Sequence, residues 1–543
     1  FPIADKLAAS LNFSSENPLR LEAGLIFELT HHLDNGHVFL PRAKLLEASA
    51  RLMNVDPAAL PDQLNALITR KMIVFDPIAG EEACYLTKLH TAECYVANQL
   101  LRMADRVLLP PPNQDALIAK LQKDQNIHYA PLQIQAIQTA ATRQLMLLTG
   151  GPGTGKTTSL RGVLALFDQL GFHTALVAPT GRAAKRLAET CDAEASTIHR
   201  LLETRYDPKQ STLVFSHNEQ NPIDADAVIV DEVSMVDLPL MHALIAALPN
   251  DCRMILVGDP NQLPSVGPGN LLSDLLRSQR LPTLCLTEIF RQAASSTIVQ
   301  NAYHVNHGEI PPLTNSSDKD CFFLRRIDPN TALDTIVDLC LNRLPNKLSI
   351  PPDQIQVLSP TRRGITGTAS LNHALQAALN PPAIDKPERV FGSQLFRLGD
   401  RVMQIKNNYD LIWEDHRHAV GGMGVFNGDI GQITELDSKG GILTVDFDGH
   451  LAEYPLDIWN QLEPAYAITV HKSQGSEYRA VILCVTDAAP MLLTRSVLYT
   501  AMTRAKALLI LVGDEHIVAR MTASDRQQRR YSGLSARLAE ERR

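Results

Sequence analysis

The spacing of hydrophobic positions changes several times along the chain, and each change predicts a different kind of element. Near the N-terminus, apolar side chains recur at helical intervals over residues 21–33, 41–52 and 60–70. Two short apolar runs, at residues 72–75 and 84–86, then predict a β-hairpin. Three helices followed by a small ribbon predict a winged-helix-like module over residues 1–110. Modules of this shape either contact ligands or pack against neighbouring domains, and the pattern leaves both roles open.

Beyond a stiff, proline-rich linker at residues 108–112, short and wholly apolar runs alternate with helical segments. Such runs are typical of strands that are buried on both faces of a parallel sheet. They occur at residues 145–148, 175–177, 228–230 and 254–257, and again at 355–358, 480–485 and 508–512. The sequence therefore predicts two α/β domains, the first over residues 111–300 and the second over residues 301–398 and 464–543.

The first of these runs leads into a glycine-rich loop with the pattern Gly150-x-x-x-x-Gly155-Lys156-Thr157, and a helical pattern follows. The glycines allow backbone amides to converge on phosphate oxygens at the positive end of that helix. Lys156 is then expected to reach the β- and γ-phosphates, and the Thr157 hydroxyl to hold Mg²⁺. The loop predicts a nucleoside triphosphate site whose phosphate cradle is formed by Gly151, Gly153, Thr154, Gly155, Lys156, Thr157 and Thr158.

Acidic and amide side chains follow the next strands, at the sheet edge where ligands bind. Asp231 comes directly after one strand and is a candidate to hold Mg²⁺, while Glu232 is a candidate general base for the attacking water. Gln262 follows another strand, where its amide is placed to sense the γ-phosphate. Arg291 is a candidate arginine finger, with a surface ion pair as the alternative role.

Composition limits the class of protein. The chain has 543 residues, of which 45% are hydrophobic and 20% charged, and its formal net charge is −8. A nucleic-acid surface must then be a local groove rather than an overall basic character. The sequence contains no run of eighteen apolar residues, so it predicts no membrane-spanning helix. The eight cysteines form no C-x-x-C pair, which favours a reduced cytoplasmic compartment. The chain begins at Phe1 rather than Met, so we expect that a segment precedes it.

The ordered series of motifs resembles that of superfamily 1 DNA helicases of the RecD-like kind, over residues 36–515. Gln133 stands where this family has a glutamine that reads the adenine edge. The remaining motifs correspond to residues 150–157, 178–187, 196–201, Asp231-Glu232, 258–264, Arg291, 469–477 and 500–505. Arg504, in the last of them, is by this resemblance a second arginine finger.

The resemblance implies an ATP-dependent DNA helicase that moves 5′ to 3′ on single-stranded DNA, with ATP and Mg²⁺ as cofactors. Its two motor domains are expected to be RecA-like and to close over ATP, with Gly475 and Glu477 beside the nucleotide. The expected substrates are single-stranded DNA and 5′-tailed duplex, in repair or recombination at a bacterial nucleoid. The expected DNA contacts are Pro179, Thr180, Thr197, His199, Asn261, Thr361, Arg362, Asn407, Asn427, Thr469 and His471.

The same resemblance interprets two insertions. Residues 206–215, within a segment at about 203–222, correspond to a β-hairpin pin that splits the duplex, with an ordinary surface loop as the alternative. Residues 399–463 correspond to an SH3-like β-barrel, with predicted strands at 401–406, 429–436, 443–447 and 452–456. Residues 413–424 are longer than the usual connection, and we predict a mobile loop there rather than a metal site formed by His416 and His418.

Two other functions stay open at this stage. A P-loop small-molecule kinase also needs the phosphate loop, but it does not need the later motifs, and stimulation of ATP hydrolysis by DNA distinguishes the two. The chain is alternatively a motor subunit of a larger recombination complex, with a protein partner. No further carboxylate cluster indicates a nuclease. Helix-hairpin-helix elements of the long RecD-like forms are absent ahead of the module, so the chain is either a truncated or a short form.

Overall fold

Two parallel sheets, each buried between helices, organise the molecule, and a winged-helix-like module and an antiparallel barrel are attached to them. The computed structural model describes residues 1–543 except 12, 208–211, 291–294, 314, 317–318, 416–419, 438, 526–529 and 541–543. The predicted α/β class with two RecA-like parallel-sheet motor domains is confirmed. In the part of the chain that is described, none of the helices has the length and apolar character needed to cross a bilayer.

The N-terminal module begins with helices and ends in a small antiparallel sheet. Its elements are α1 (Pro2–Ser10), α2 (Pro18–His31), β1 (Phe39–Pro41), α3 (Arg42–Met53), α4 (Pro61–Thr69), β2 (Ile73–Ile78), β3 (Glu81–Leu86) and α5 (Thr87–Asp105). The strand order β1-β3-β2 is that of a winged helix. The Asn17 side chain accepts a hydrogen bond from the Leu19 amide, and Pro18 occupies the first turn, so local sequence starts α2. The 19-residue helix α5 is not among the predicted elements.

The module packs on the first motor domain rather than standing apart from it. Leu25 and Val96 of the module belong to the same buried cluster as Leu145 and Val228 of the first parallel sheet. Burial of these side chains from both sides removes a large apolar area from water. Packing against a neighbour, one of the two roles left open by the sequence, is therefore what this face of the module does.

The first motor domain contains the phosphate loop. Its helices are α6 (Gln114–Asp124), α7 (Pro131–Thr142), α8 (Lys156–Gln169), α9 (Gly181–Cys191), α10 (Ile198–Leu201), α11 (Leu238–Ala246) and α12 (Leu271–Ser278). Its strands are β4 (Leu145–Gly150), β5 (Thr174–Ala178), β6 (Ser196–Thr197), β7 (Thr204–Asp207), β8 (Thr212–Phe215), β9 (Ala227–Val230), β10 (Arg253–Gly258) and β11 (Thr283–Leu286). The sheet has the order β11-β4-β10-β9-β5-β6, so the loops after β4, β10 and β9 meet at one edge.

Strands β7 and β8 leave the sheet as a separate antiparallel ribbon. Thr204 lies opposite Phe215, and Asp207 lies opposite Thr212. The predicted two-stranded ribbon is thus confirmed. Residues 208–211, which join the two strands, lie outside the described residues.

The second motor domain is interrupted by the barrel. Before the interruption it contains α13 (Thr297–Asn306), β12 (Cys321–Arg325), α14 (Pro329–Asp338), α15 (Leu344–Leu348), β13 (Ile355–Ser359) and α16 (Thr368–Leu379). A hairpin, β14 (Glu388–Phe391) and β15 (Gln394–Arg397), leads into the barrel strands β16 (Arg401–Gln404), β17 (Asn408–Asp415), β18 (Val420–Val425), β19 (Ile430–Asp437), β20 (Ile442–Phe447), β21 (His450–Pro455) and β22 (Leu462–Pro464). After it come β23 (Ala467–Thr469), β24 (Tyr478–Val485), α17 (Arg495–Met502), β25 (Ala505–Gly513), α18 (Glu515–Ala523) and α19 (Leu534–Ala539). The second parallel sheet has the order β12-β25-β24-β13-β23.

The barrel corrects the prediction of a mobile loop at residues 413–424. Strand β17 pairs with both β18 and β21, so most of this segment is antiparallel sheet. The Trp413 ring stacks on His450 at 3.9 Å between centroids. A Cβ at Gly422 would lie 2.3 Å from the Trp413 ring, so the glycine makes room for the indole. His416 and His418 lie outside the described residues, and no metal-binding cluster occurs among the residues that are described.

Candidate active site and nucleic-acid interface

The phosphate loop has the backbone shape that its glycines allow. Gly153 and Gly155 have φ values of +73° and +82°, which L-side chains rarely adopt. The Thr154 hydroxyl donates to the Gly151 carbonyl at 2.9 Å and closes the turn. Lys156 folds back over the loop, and its Nζ lies 2.5 Å from the Gly150 carbonyl and 2.9 Å from that of Gly151. The loop therefore holds the amine where phosphate oxygens compete with those carbonyls, while Thr157 and Thr158 follow, partly exposed, in the first turn of α8.

Gln133, for which the family resemblance implies contact with the adenine edge, lies against the same loop. Its Oε1 accepts from the Ala130 amide at 2.9 Å, and its Nε2 lies 3.4 Å from the Gly155 carbonyl. A Cβ at Gly155 would meet Gln133 at 2.3 Å and the Phe290 ring at 2.8 Å. The Phe290 amide also donates to the Gly153 carbonyl at 3.3 Å. Phe290 is thus a wall of the loop that the sequence reasoning missed.

The acidic pair ends strand β9 at the same sheet edge. Burial, followed by the neighbouring charge of Glu232, raises the pKa of Asp231 to about 6. A carboxyl group in this setting is ionised at neutral pH, and a bound cation would favour that form further. Glu232 has the left-handed φ of +53°, which is rare for a non-glycine residue and is typical of functional positions. Its carboxylate is nearly buried and lies 3.4 Å from Nη1 of Arg186, a residue that the sequence reasoning did not single out.

The loop that carries Gln262 joins the two motor domains. Gln262 Nε2 lies 3.5 Å from the Asp259 carboxylate, which accepts from the Tyr499 hydroxyl at 2.7 Å. The Leu263 amide donates to the Thr500 hydroxyl at 3.0 Å, and the Leu263 carbonyl accepts from Gln474 at 2.7 Å. Leu263, the residue next to Gln262, is thereby bonded to the second domain on both its amide and its carbonyl side.

Of the two predicted arginine fingers, Arg291 and Arg504, the structure describes one. Arg291 lies outside the described residues. Arg504 is 2% exposed, and it donates to the carbonyls of Thr500 and Ser476 at 3.1 and 3.2 Å. Near Arg504, the Tyr499 hydroxyl lies 3.3 Å from where a Cβ of Gly151 would stand, so this part of the second domain faces the phosphate loop. Tyr499 was not among the predicted site residues.

Gly475 and Glu477 lie on the other side of the cleft from the phosphate loop. They line a cavity of about 960 Å³ between the motor domains and the barrel, together with Arg182 and Arg186. A Cβ at Gly475 would lie 2.8 Å from the Thr180 hydroxyl, so this glycine permits a close approach of the two domains. None of the described phosphate-loop residues lines that cavity. Glu477 is instead connected to Glu232 through Arg186, whose Nη2 lies 2.5 Å from the Glu477 carboxylate.

Six of the predicted DNA contacts come together around one cavity. Its volume is about 100 Å³, and it lies between the first motor domain and the barrel. The predicted residues that line it are Pro179, Thr180, Thr197, His199, Asn407 and Asn427, and Gly181 and Phe426 complete it. Hydroxyl, amide and imidazole groups from two domains therefore converge on this cavity, and no lysine or arginine is among the described residues that line it.

Aromatic rings continue from this cavity toward the β7–β8 ribbon. The His199 ring lies 5.8 Å from Phe215 of the ribbon and 6.5 Å from Tyr409 of the barrel. Tyr409 packs edge-on against Phe426 at 5.7 Å. Burial lowers the pKa of His199, so its neutral ring is favoured. Three of these rings were missed because they lie in segments whose contacts form only in the fold.

The remaining predicted contacts lie apart from that cavity. Thr361 follows β13 and Thr469 ends β23, and these two strands are paired neighbours in the second sheet. Arg362 forms an ion pair with Glu463 at 3.0 Å, so reaching a phosphate requires it to leave that partner. The Asn261 amide donates to Asp259 at 3.0 Å, in the interdomain loop. His471 is exposed, two residues after Thr469 in the 469–477 motif.

Comparison with known proteins gives a consistent assignment. A family model described as an AAA domain matches residues 133–268, and one described as a UvrD-like helicase C-terminal domain matches residues 464–512. A third model, the ATP-dependent RecD-like DNA helicase SH3 domain, matches residues 371–447. The three matches follow the order of first motor, barrel and second motor along the chain.

Relatives span most of the chain. The ATP-dependent RecD2 DNA helicase of Deinococcus radiodurans is 35% identical over 522 residues, which cover 93% of this chain and 67% of that protein. The RecBCD enzyme subunit RecD of Mycolicibacterium smegmatis is 31% identical over 438 residues, 74% of each chain. Among solved structures, the Pif1 helicase from Candida albicans aligns with 74% of this chain and 97% of its own at 18% identity and a TM-score of 0.44. From the two sequence relatives it follows that this chain belongs to the RecD-like family of ATP-dependent DNA helicases.

Proposed function

We propose that this chain couples ATP hydrolysis at the phosphate loop to 5′-to-3′ movement on single-stranded DNA, and that it unwinds 5′-tailed duplex in repair or recombination. The observation that carries the proposal is the loop at residues 259–263. It begins beside the phosphate loop and is bonded to Tyr499, Thr500 and Gln474 of the second domain. A motor needs a connection of this kind, because hydrolysis must change how the two domains meet.

The ATP site is supported by the donors and acceptors that surround the loop. Lys156 exchanges two backbone carbonyls for phosphate oxygens, and Gln133 stands behind the loop at the adenine side. Glu232 accepts the proton of the attacking water, and Gln262 lies at the γ-phosphate end. When the cleft closes, Arg504 and Arg291 stabilise the negative charge that develops on the phosphate in the transition state.

Asp231 and Thr157 offer the carboxylate and hydroxyl oxygens that Mg²⁺ prefers. The raised pKa of Asp231 supports this assignment, because a recessed carboxyl group next to a second carboxylate gains most from a cation. When bound with ATP, the ion supplies neutralisation of charge on the β- and γ-phosphates. The protein's part is to hold the two oxygen ligands, one directly after β9 and one in the first turn of α8.

The DNA path follows the hydroxyl- and amide-lined cavity and its aromatic rings. Phosphates accept from groups such as Thr180 and Asn427, and bases stack on His199 and Phe426. The strand then continues past Asn261, Thr361 and Thr469 toward His471. The β7–β8 ribbon, at whose base Phe215 contacts His199, is proposed to act as the wedge.

A pair of variants tests the site. Lys156→Ala should abolish ATP hydrolysis and keep binding of single-stranded DNA, because the two surfaces are separate. Glu232→Gln should bind both ATP and DNA while hydrolysis nearly stops, since its shape is kept and its proton acceptor is lost. Turnover and fluorescence anisotropy on the same preparations give the answer. Near-normal turnover by Lys156→Ala, or loss of ATP binding by Glu232→Gln, would contradict the assignment.

A protein partner is the second proposal, supported by the 31% identity to a RecBCD subunit. Action on DNA would then take place at the nucleoid, within a larger assembly. Hydrolysis and unwinding by the isolated chain, measured with and without cell extract from the source strain, test whether a partner is needed. Family membership does not favour the small-molecule kinase alternative.

A further inference from the structure

Four alternating charges cross the cleft between the motor domains. Glu232 belongs to the first domain, and its carboxylate lies 3.4 Å from Nη1 of Arg186 in α9. Nη2 of the same guanidinium lies 2.5 Å from Glu477 in the second domain. The other oxygen of Glu477 lies 3.5 Å from Lys506 in β25. The proposed general base is thus connected to the second domain by a single arginine.

The guanidinium of Arg186 lies closer to the carboxylate of Glu477 than to that of Glu232. A separation of 2.5 Å is that of a strong charge-assisted hydrogen bond, whereas 3.4 Å is near the limit for any hydrogen bond. In this arrangement, with the domains in contact, Glu477 therefore holds the guanidinium and keeps it at the edge of Glu232. A lone pair of Glu232 stays available to a water molecule.

Separation of the domains changes the balance. Arg186 and Glu232 both belong to the first domain, so they stay together when the second domain moves, while Glu477 leaves. Glu232 is then the carboxylate that remains beside Arg186, and its side chain is only 10% exposed. A guanidinium in full contact occupies the oxygens that a general base needs in order to accept a proton.

We infer that Arg186 is a positioning residue that restrains Glu232 while the cleft is open and releases it when Glu477 of the second domain takes the guanidinium. The inference rests on the proposed role of Glu232 as general base. The restraint slows ATP hydrolysis in the absence of DNA, because DNA bound across both domains favours the closed cleft. Arg suits this task better than Lys, since its planar fork engages two carboxylates at once.

The test measures ATP hydrolysis with and without single-stranded DNA. Arg186→Gln should raise the DNA-free rate about fivefold, the factor that an ion pair of this partly exposed kind contributes. The DNA-stimulated rate should change little, so the stimulation ratio falls by the same factor. Glu477→Gln should lower the DNA-stimulated kcat, because Arg186 then stays on Glu232 when the cleft closes. If Glu477 acts on kcat through Arg186, the double variant should match Arg186→Gln.

Arg182 supplies a matched control on the same helix, one turn earlier. It also crosses the cleft, donating to the Ser476 and Tyr478 hydroxyls at 3.2 and 3.0 Å, but those partners carry no carboxylate. Arg182→Gln should therefore leave the DNA-free rate unchanged. An equal rise in both variants would mean that loosening of the cleft is the cause, and it would overturn the inference. A fall in the DNA-free rate of Arg186→Gln would also overturn it, because the arginine would then serve the reaction itself.

Glu232→Gln separates the two levels of the proposal. If this variant still hydrolyses ATP, the role of Glu232 fails and the role of Arg186 fails with it. If Glu232→Gln is inactive while Arg186→Gln shows no rise, only the restraint by Arg186 is wrong. Arg186→Lys serves as a second variant that keeps a positive charge, and it should raise the DNA-free rate less than Arg186→Gln does.

Discussion

Arg537 is predicted to hold the C-terminal segment onto the N-terminal module and the first motor domain. Its Nε donates to Glu93 of α5 at 2.9 Å, and its Nη2 donates to Asp76 of β2 at 2.6 Å. Burial opposes a charged guanidinium, but the hydrogen bonds to Asp76 and Glu93 outweigh it, and the pKa of Arg537 is raised. The Glu93 side chain is fully buried, so its charge depends on partners within the protein.

Arg537→Ala leaves Glu93 buried without its cation. Removing one partner of a buried ion pair costs about 3–5 kcal/mol. Glu93 retains the Tyr85 hydroxyl at 2.9 Å and the Gly533 amide at 3.0 Å, which places the expected cost near the lower end, about 3 kcal/mol. That free energy corresponds to a change of roughly a hundredfold in local opening.

Hydrogen exchange is the suitable assay, because a chain of several domains does not unfold in one step. Amides of α19 and of β3 should lose about a hundredfold in protection, while those of the second parallel sheet keep theirs. Arg51→Ala is the control, since Arg51 pairs with Glu47 where both side chains are exposed, and it should change little. Replacing Glu93 and Arg537 together by Leu and Met should cost less than Arg537→Ala. Loss of only about 0.5 kcal/mol in Arg537→Ala, as for a surface pair, would refute the reasoning.

Three further predictions concern the motor, acid sensitivity and unwinding. Arg504→Ala should depress DNA-stimulated hydrolysis by about a thousandfold or more if it is an arginine finger; a few-fold loss with an intact fold, checked by circular dichroism, would assign it to packing against Thr500 and Ser476. Burial, aided by His32, Arg530 and Lys44, lowers the pKa of His37 to about 4, and its Nδ1 accepts from the Tyr531 amide at 3.1 Å. The contribution of the neutral His37 ring to stability is therefore present above about pH 6.5 and is lost toward pH 4. Protection of α19 against hydrogen exchange should fall over that range in the parent and stay flatter in His37→Gln. Parallel profiles for the two proteins would contradict this. Replacing residues 208–210 by glycines should leave DNA-stimulated hydrolysis intact but stop strand separation. Equal unwinding by variant and parent would contradict the proposed wedge role of the ribbon.

The phosphate loop and its sheet were predictable because each strand is a wholly apolar run followed by polar residues. Leu145 to Leu148 are all buried, the loop after β10 beside β4 carries Gln262, and Asp231 follows β9, the next strand over. Six predicted DNA contacts were named through the family resemblance, and the structure brings those residues together around one cavity.

Other features depend on contacts that no local pattern reports. Arg186 meets Glu477, which lies far from it in the sequence, and Tyr499 and Asp259 form a similarly long-range contact. In the barrel, the length of residues 413–424 relative to the family's usual connection indicated a loop. Gly421, Gly422 and Gly424 lie in strand β18 instead, and the glycine at 422 leaves the space that the Trp413 ring fills. Glycine thus marks a close approach there rather than a turn.

The most direct test of the central proposal is strand displacement by the purified chain on three duplexes that carry a 5′ tail, a 3′ tail or blunt ends. The proposal predicts ATP-dependent displacement of the 5′-tailed duplex, little or none of the other two, and none by Lys156→Ala on any of them. Displacement of the 3′-tailed duplex at the same rate, or unwinding that continues in Lys156→Ala, would contradict it.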